Sequence, residues 1–195
     1  MAIEKEIEFK NELTKEEIDL LLEAFNINPS DFFTQENIYY DTNELILRHN
    51  HSMLRVRIKN NTFELTLKEP QDIGLLETNQ MISEDQFKAI TILNLLPDGI
   101  VKARVKCFTE APIVKEIARL ETKRISFPYQ GAELFLDISS YYGHIDYELE
   151  FEVREYESGE IIFNELLKQF SIPRRPAKSK VERAFNIKQK IQKNN

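Results

Sequence analysis

Charged and apolar side chains alternate near the start of this chain. The stretch IEKEIEFK at residues 3–10 places ionisable side chains at its even positions, opposite Ile3, Ile7 and Phe9. Because successive side chains of a strand point to opposite faces, the stretch predicts a strand with one apolar face and one charged face. The fold therefore has to bury the first face and accommodate ionised groups on the second.

The same alternation returns in three later stretches. The polar positions that lie opposite apolar neighbours there are Arg55 and Arg57; Thr66 and Lys68; and Glu148, Glu150 and Glu152. Turn signals sit between stretches of this kind at Asn60-Asn61, Gln130-Gly131 and Gly143. Short alternating segments joined by such turns are typical of antiparallel hairpins.

Helical patterns lie between the strands. The predicted helices are Thr14 to Phe25, Ser83 to Leu96, Gly159 to Phe170, and Val181 to about Lys193. Thr14 and Glu17 have the spacing of a capping box. The predicted core positions of these helices are Leu20, Leu21, Ile90, Leu93, Leu166 and Leu167. Many strands with a few amphipathic helices, not in strict alternation, indicate an antiparallel α+β fold.

The charged faces leave two architectures open. An open antiparallel sheet can keep one face in water. A closed barrel would instead place both signs of charge in its lumen, where ionised groups are costly unless water, metal ions or a charged ligand accompany them. A charged lumen would therefore predict its own ligand.

The residue types suggest what that ligand would be. Lysine and arginine, at positions such as Arg55, Arg57 and Lys68, donate to many oxygens at once, and arginine binds phosphate through a bidentate fork. The glutamate pairs Glu6/Glu8 and Glu148/Glu150 each project two carboxylates from one strand face, which suits Mg²⁺ or Mn²⁺. Together they indicate a polyphosphate and a divalent metal.

The composition narrows the class of protein. The chain has 33 acidic against 26 basic side chains, for a formal net charge of -7, which disfavours nucleic-acid binding. With Cys107 as its one cysteine, it can form no internal disulfide, and we expect that residue to be a buried apolar filler. The absence of a signal-peptide pattern and of an apolar run near ~20 residues predicts a cytoplasmic protein without a membrane span.

The chain resembles the CYTH proteins, also called triphosphate tunnel metalloenzymes, through an ordered set of motifs. These are E-I-E-F-K (Glu6 to Lys10), Y-Y-D-T (Tyr39 to Thr42), L-R-V-R (Leu54 to Arg57), L-T-L-K (Leu65 to Lys68), L-L-E-T (Leu75 to Thr78), T-K-R (Thr122 to Arg124), F-L-D (Phe135 to Asp137), Y-E-L-E-F-E (Tyr147 to Glu152) and K-S-K (Lys178 to Lys180). The resemblance implies one domain over residues 1–195, built as a closed eight-stranded antiparallel barrel with a charged lumen and helices outside.

The resemblance also implies roles for individual residues. The metal ligands it implies are Glu6, Glu8, Asp137, Glu148 and Glu150. The phosphate-binding residues it implies are Lys10, Arg55, Arg57, Lys68, Arg124 and Lys180. The implied reaction is metal-dependent hydrolysis of a phosphoanhydride, with Lys10 in the catalytic set and Glu150 or Asp137 steering or deprotonating the attacking water.

Other conspicuous residues receive structural predictions. We expect Tyr40, Tyr141 and Tyr142 to pack, and Asp41 or Thr42 to bind the amides of the following turn. The residues expected in solvated loops or turns are His49, His51 and His144. Arg174-Arg175, between two prolines, is expected to form a rigid connector that presents Lys178 and Lys180. Glu77 is predicted to be an exposed strand residue, with the tunnel as its alternative.

The stretch from Asp85 to Ile117 carries no motif that we can place. The basic residues left without a role are Lys102, Arg104, Lys106, Lys115 and Arg119. Strand parity, counted from Arg124, puts Arg119 on the outer face, unless a β-bulge resets the register.

Four kinds of function remain open. The first is a hydrolase of tripolyphosphate, a nucleoside triphosphate or thiamine triphosphate. The second is a class IV-type adenylate cyclase, and the third is a non-catalytic module that binds polyphosphate or a nucleotide. The fourth is an RNA-end or general nucleic-acid binder, whose binding would weaken steeply with salt. A homodimer is possible on this reading, but no residue argues for it.

Overall fold

The computed structural model of the chain describes residues 2–194. Its strands are β1 (Ala2–Leu13), β2 (Phe33–Asp41), β3 (Met53–Lys59), β4 (Thr62–Pro70), β5 (Leu75–Ile82), β6 (Lys115–Tyr129), β7 (Ala132–Tyr141) and β8 (His144–Val153). Its helices are α1 (Lys15–Ala24), α2 (Ile46–His49), α3 (Glu84–Leu93), α4 (Ile100–Val105), α5 (Tyr156–Gln169) and α6 (Lys180–Asn194), with a 3-10 turn at Pro29–Asp31.

The strands close into an antiparallel barrel in the order β1-β5-β4-β3-β2-β6-β7-β8. Helices α1 to α5 pack against the apolar faces of the strands, so the charged faces line the interior. The closed barrel is thus confirmed over the open sheet, and the chain is an α+β protein.

The hairpin turns form where the sequence predicts them. Asn60 and Asn61 have φ values of 49° and 57° between β3 and β4, and Gln130 and Gly131 have 47° and 81° between β6 and β7. Two successive residues with positive φ make the type I′ geometry whose twist matches that of the paired strands. These turns set the register that places the charged residues.

One compact unit is built around Gln35–Leu120. Its core joins the apolar faces of β3 and β4, with residues such as Val56 and Leu65, to Ile90 of α3 and Val101 of α4. Asp41 is buried at the end of β2, where its carboxylate accepts hydrogen bonds from the amides of Thr42, Leu47 and Arg48 at 2.7–3.0 Å. This geometry agrees with the structural role predicted for Asp41.

A second compact unit combines Glu6–Thr34 with Glu121–Lys180. Its core packs Phe9 and Phe151 of the strands against Ile18 of α1 and Phe163 of α5. The capping box predicted at Thr14 is present, because the Thr14 side chain accepts from the Glu17 amide and the Glu17 side chain accepts from the Thr14 amide. The single domain predicted over residues 1–195 stays a prediction.

Two of the predicted helical core residues are wrong. Leu21, Ile90, Leu166 and Leu167 are buried, but Leu20 is 43% exposed and Leu93 is 60% exposed. In α1 the buried positions are Ile18 and Leu21, and Leu20 lies beside this stripe on the helix surface that faces solvent. Leu93 is the last residue of α3, and the helix ends directly after it at Asn94, whose φ is 59°.

Two further details depart from the sequence predictions. Cys107 is exposed, not buried, because it lies just after the C-cap of α4, where the chain leaves the core. Helix α5 begins at Tyr156, three residues before the predicted start at Gly159.

None of the helices within residues 2–194 has the length and apolar character needed to cross a membrane.

Candidate metal and phosphate site

Antiparallel pairing brings the charged residues of the second unit into two neighbouring rows. Arg124, Asp137 and Glu148 are paired across β6, β7 and β8 in one row. Lys10 and Glu150 are paired across β1 and β8 in the next row. Sequence motifs far apart in the chain therefore meet on one sheet face.

Three carboxylates converge in these rows. One oxygen from each of Asp137, Glu148 and Glu150 lies within 4.8 Å of the others. These residues, which we call the carboxylate triad, are only 0%, 1% and 5% exposed. Carboxylate oxygens are the ligands that Mg²⁺ and Mn²⁺ prefer, so the residues present fit a divalent metal.

Two cations bind the triad directly. The Arg124 guanidinium donates to both oxygens of Asp137 at 2.7 and 2.6 Å, and it also contacts Glu150. The Lys180 ammonium lies 2.8 Å from Asp137 and also contacts Glu148 and Glu150. Buried carboxylates are tolerated only with such compensation.

A third cation lies at the edge of the triad. The Lys10 ammonium is 2.7 Å from the Glu8 carboxylate and 3.6 Å from that of Glu150. Burial alone would lower the pKa of Lys10, but the charges of Glu150 and Glu8 outweigh it and raise that pKa. Lys10 is therefore held as a cation beside the carboxylates.

The two glutamates of β8 differ electrostatically. Burial would raise the pKa of Glu150, but Lys180, Arg124 and Lys10 outweigh it and hold that pKa well below the ordinary value. Burial raises the pKa of Glu148, where the charge of Lys180 opposes the rise and that of Glu150 adds to it. Glu150 is thus the more firmly ionised of the two.

Three of the five predicted metal ligands come together in the part of the chain that the structure describes, residues 2–194. Asp137, Glu148 and Glu150 form the triad, whereas Glu8 is paired with Lys10 and Glu6 is half-buried on the preceding part of β1. A metal role for Glu6 and Glu8 stays a prediction.

The first unit carries a second charged set on β3 and β4. Arg55 is only 7% exposed, and its Nε has no hydrogen-bond partner among the described residues. The Nε of Arg57 donates to Asn37 Oδ1 at 3.2 Å. Lys68 forms an ion pair with Glu77. A buried guanidinium with an unused donor is costly, and an anion would satisfy it.

Sequence reasoning missed several polar residues on β4 and β5. Glu77 was predicted to be exposed, but it is partly buried on the same face as Lys68, its pairing partner on β4. Thr66 donates to Asn79 at 2.8 Å, and Asn79 lies 3.4 Å from Glu77. Strand parity on β5 could have found these residues, had the β4–β5 register been known.

An aromatic ring near the triad was also missed. The Arg124 guanidinium lies 4.6 Å from the ring centroid of Phe135, which precedes Asp137 by two residues on β7. The F-L-D motif contained the signal, since Phe135 and Asp137 share a strand face.

The basic residues left without a role form ion pairs elsewhere or lie at the surface. Lys102 binds Asp98, and Arg104 binds Glu69. Arg119 is exposed on the outer face, as strand parity predicts, where it binds Glu36 and Glu116. Lys106 and Lys115 are exposed, as are His49, His51 and His144.

The connector before α6 is fixed by its two arginines. Arg174 donates to Asn11 Oδ1 at 3.2 Å and stacks over Phe163. Arg175 binds the Glu17 carboxylate through two hydrogen bonds of 2.6 and 2.7 Å. Both arginines are thus engaged within the protein, and Lys180 follows them at the triad.

A sequence model described as the CYTH domain matches residues 4–185. A Bacillus subtilis protein, YjbK, whose name describes it as a candidate triphosphatase, is 39% identical over 192 residues, covering 97% of this chain and 99% of that protein.

Solved structures resemble this chain closely. A Bacillus halodurans protein, described as a candidate adenylate cyclase, is 38% identical with a TM-score of 0.90, covering 95% of this chain and all of that one. A Hippeastrum protein is 24% identical with a TM-score of 0.71 over 93% of this chain and 95% of that one, which is a likeness of fold.

Proposed function

The chain belongs to the CYTH domain family, and on that premise we propose that it is a divalent-metal-dependent hydrolase of inorganic triphosphate or a small organic triphosphate. The relative YjbK, named as a candidate triphosphatase, supports this assignment. The observation that carries it is the carboxylate triad, buried together with Arg124, Lys180 and Lys10. Such a cluster is costly to a fold that does not use it.

Asp137, Glu148 and Glu150 would hold the metal, with Glu6 and Glu8 as further predicted ligands. Mg²⁺ or Mn²⁺ is the proposed ion, because all of these donors are hard carboxylate oxygens. When bound, the ion would supply charge neutralisation for the triphosphate and a lowered pKa for a coordinated water.

The cations would bind the phosphate chain. Arg124, whose Nε and Nη2 bind carboxylates of the triad, would turn its Nη1 donors to the phosphate, and Lys10 would add an ammonium beside the triad. In the first unit we propose the same phosphate-binding role for Arg55, Arg57 and Lys68, supported by the unused Nε donor of Arg55. Donors fixed in position before the reaction stabilise charge that develops on the phosphoryl oxygens.

Hydrolysis requires a water to attack the terminal phosphorus while the bond to the bridging oxygen breaks. The water gives up a proton, which Glu150 or Asp137 would accept or direct. Lys10 and Arg124 would stabilise the negative charge that the leaving diphosphate takes up. The products are inorganic phosphate and the shortened phosphate chain.

A class IV-type adenylate cyclase is the alternative activity, and the description of the Bacillus halodurans relative favours including it in the test. A module that binds polyphosphate without turnover is the non-enzymatic alternative. For partners, we propose a free small triphosphate without nucleic acid, since the net charge is -7. A cytoplasmic location is proposed from the single free cysteine.

The test is an assay of phosphate release and of cyclic AMP formation with tripolyphosphate, ATP and thiamine triphosphate. Each substrate is incubated with Mg²⁺, with Mn²⁺ and with EDTA. The variants are Glu150→Gln and Arg57→Ala, and their matched controls are the exposed residues in Glu157→Gln and Arg119→Ala.

We expect metal-dependent phosphate release that both site variants lose and both controls keep. Cyclic AMP formation from ATP in place of phosphate release would replace the hydrolase with the cyclase. Tripolyphosphate binding without turnover under any metal would leave the binding module as the function.

A further inference from the structure

Lys180 occupies the centre of the carboxylate triad. Its ammonium lies 2.8 Å from Asp137 Oδ2 and within contact of Glu148 Oε1 and Glu150 Oε1. An ammonium has three N–H donors, and the three carboxylates can accept all of them. The Lys180 side chain is only 11% exposed, so the contacts are shielded from water.

A metal bound to the triad would need the same oxygens. One oxygen from each carboxylate lies within 4.8 Å of the others, so a cation at their centre is in reach of all three. Mg²⁺ binds carboxylate oxygens at about 2.0–2.1 Å, closer than an ammonium approaches them. The triad therefore has room for one central cation.

The sum of the charges at the site also favours exchange of Lys180 for the metal over addition of the metal beside it. The four carboxylates of Glu8, Asp137, Glu148 and Glu150 face the three cations Lys10, Arg124 and Lys180, which leaves one negative charge over. Exchange of the single charge of Lys180 for the double charge of a metal ion would make the set neutral. Addition of the metal with Lys180 in place would leave an excess positive charge in a buried site, which is unfavourable.

Lys180 also has the freedom to leave. Arg174 and Arg175 hold the connector to β1 and α1, and its backbone can stay in place. Release of Lys180 then requires only that its side chain rotate away from the triad. The lysine side chain is a flexible four-carbon arm with a strongly hydrated head group. A freed ammonium would be a mobile donor for a phosphate oxygen.

We propose that Lys180 is an internal competitor for the divalent metal: its ammonium holds the triad until the metal displaces it, which releases Lys180 to bind the phosphate chain. This inference rests on the proposed function, because it takes the triad as the metal site. It orders the events, since the metal has to enter before Lys180 can contact the substrate.

The first measurement follows Lys180 in the wild-type full chain. An amine-reactive ester labels lysines in EDTA and along a titration with Mn²⁺ alone, and peptide mass spectrometry reports the labelling rate of each lysine. Lys168, exposed on α5, is the internal control. We expect the Lys180 rate to rise with the same midpoint as Mn²⁺ binding by calorimetry, while the Lys168 rate stays constant.

The second measurement is the Mn²⁺ affinity of two variants. Lys180→Met removes the competitor, and Lys10→Met removes the same charge from beside the triad without vacating its centre. Because competition is reciprocal, we expect Lys180→Met to bind Mn²⁺ about 5- to 150-fold more tightly than wild type, and Lys10→Met to gain less.

The outcomes separate the inference from the proposed function. Mn²⁺ binding to the wild type with Lys180 still protected, or with equal gains in the two variants, overturns the competitor role and leaves the metal site standing. No Mn²⁺ binding to wild type or to Lys180→Met overturns both. The labelling experiment needs no variant, so it decides the question even if Lys180→Met fails to fold.

Discussion

Arg124 binds Asp137 across the β6–β7 pairing through two hydrogen bonds, from Nε at 2.7 Å and from Nη2 at 2.6 Å. The guanidinium thus fixes a carboxylate of the triad in both position and plane. A lysine could supply the charge at this position but not the fork.

Arg124→Lys should therefore separate geometry from charge. We expect the variant to fold and to lose about 10²-fold in kcat for the preferred triphosphate, the cost of removing one fixed donor from a reacting centre. Arg124→Ala should also destabilise the fold by about 3–5 kcal/mol, because it removes one of the two cations that bind the buried Asp137 carboxylate. Steady-state kinetics and urea unfolding measure the two effects. Arg119→Lys, at an exposed position of the same strand, is the control, and wild-type kcat in Arg124→Lys would show that the fork is not needed.

Loss of a triad carboxylate should weaken metal binding directly. Glu148→Gln and Asp137→Asn each remove one charge from the triad but keep a similar shape. Loss of a hydrogen-bond partner of a metal ligand usually costs 10–100-fold in affinity, so we expect at least about tenfold weaker Mn²⁺ binding by calorimetry. Glu157→Gln on α5 should bind as wild type does. Unchanged Mn²⁺ affinity in both triad variants would show that the metal binds at another site.

Arg55 and Arg57 should affect stability in opposite directions. Arg55→Met removes a buried guanidinium whose Nε has no partner, so we expect a higher Tm without ligand. Arg57→Met removes the donor to Asn37, so we expect a lower Tm. Both variants should lose the rise in Tm that tripolyphosphate gives the wild type. Differential scanning fluorimetry with and without tripolyphosphate measures both effects, and a full ligand shift in Arg55→Met would contradict its phosphate-binding role.

The strands in which apolar and polar side chains alternate strictly were predicted well from the sequence. The hairpins around Asn60-Asn61 and Gln130-Gly131 were predicted because turn chemistry and strand parity agree there. The family resemblance implied a closed eight-stranded barrel, but the order of strands around it was not predicted, since local patterns do not encode which distant strands pair. That is why Glu77 was predicted to be exposed although it lies beside Lys68.

The convergence at the triad was only partly predictable. Parity places Glu148 and Glu150 on one face, and the register of β7 with β8 then brings Asp137 beside Glu148. The position of Lys180 depends on a connector held by side-chain contacts to Asn11 and Glu17, which no periodicity reports. Its contacts with the three carboxylates could be identified only from the structure.

Gly159 on α5 should not tolerate even one added carbon. A Cβ at this position would lie 2.6 Å from Val153 Cγ2 and 2.9 Å from Phe9 Cε2. Glycine to alanine normally stabilises a helix by about 0.5–1 kcal/mol, but overpacking of this kind costs about 1–3 kcal/mol. We therefore expect Gly159→Ala to lower the free energy of unfolding in urea titration. Asn164→Ala, at an exposed position of the same helix, should be neutral or stabilising, and equal behaviour of the two variants would show that α5 can move away from the sheet.

The ion pair between Glu17 and Arg175 should make stability depend on pH. The two hydrogen bonds from Arg175 lower the pKa of Glu17 below its ordinary value. A carboxyl whose pKa is lowered on folding stabilises the protein above its unfolded pKa, and this contribution is lost as the pH falls through the folded pKa.

Glu17→Gln removes the charge but keeps a side chain that can complete the capping box at Thr14. We expect it to be less stable than wild type by about 0.5–1 kcal/mol at pH 7, as for a partly exposed ion pair. The difference should shrink as the pH falls below about 4.3, the ordinary pKa of glutamate. Urea unfolding of both proteins across this range measures it, with Glu23→Gln, at an exposed position of α1, as the control. A difference that does not change with pH would mean that the ionisation of Glu17 contributes nothing to stability, and that the connector does not depend on the ion pair between Glu17 and Arg175.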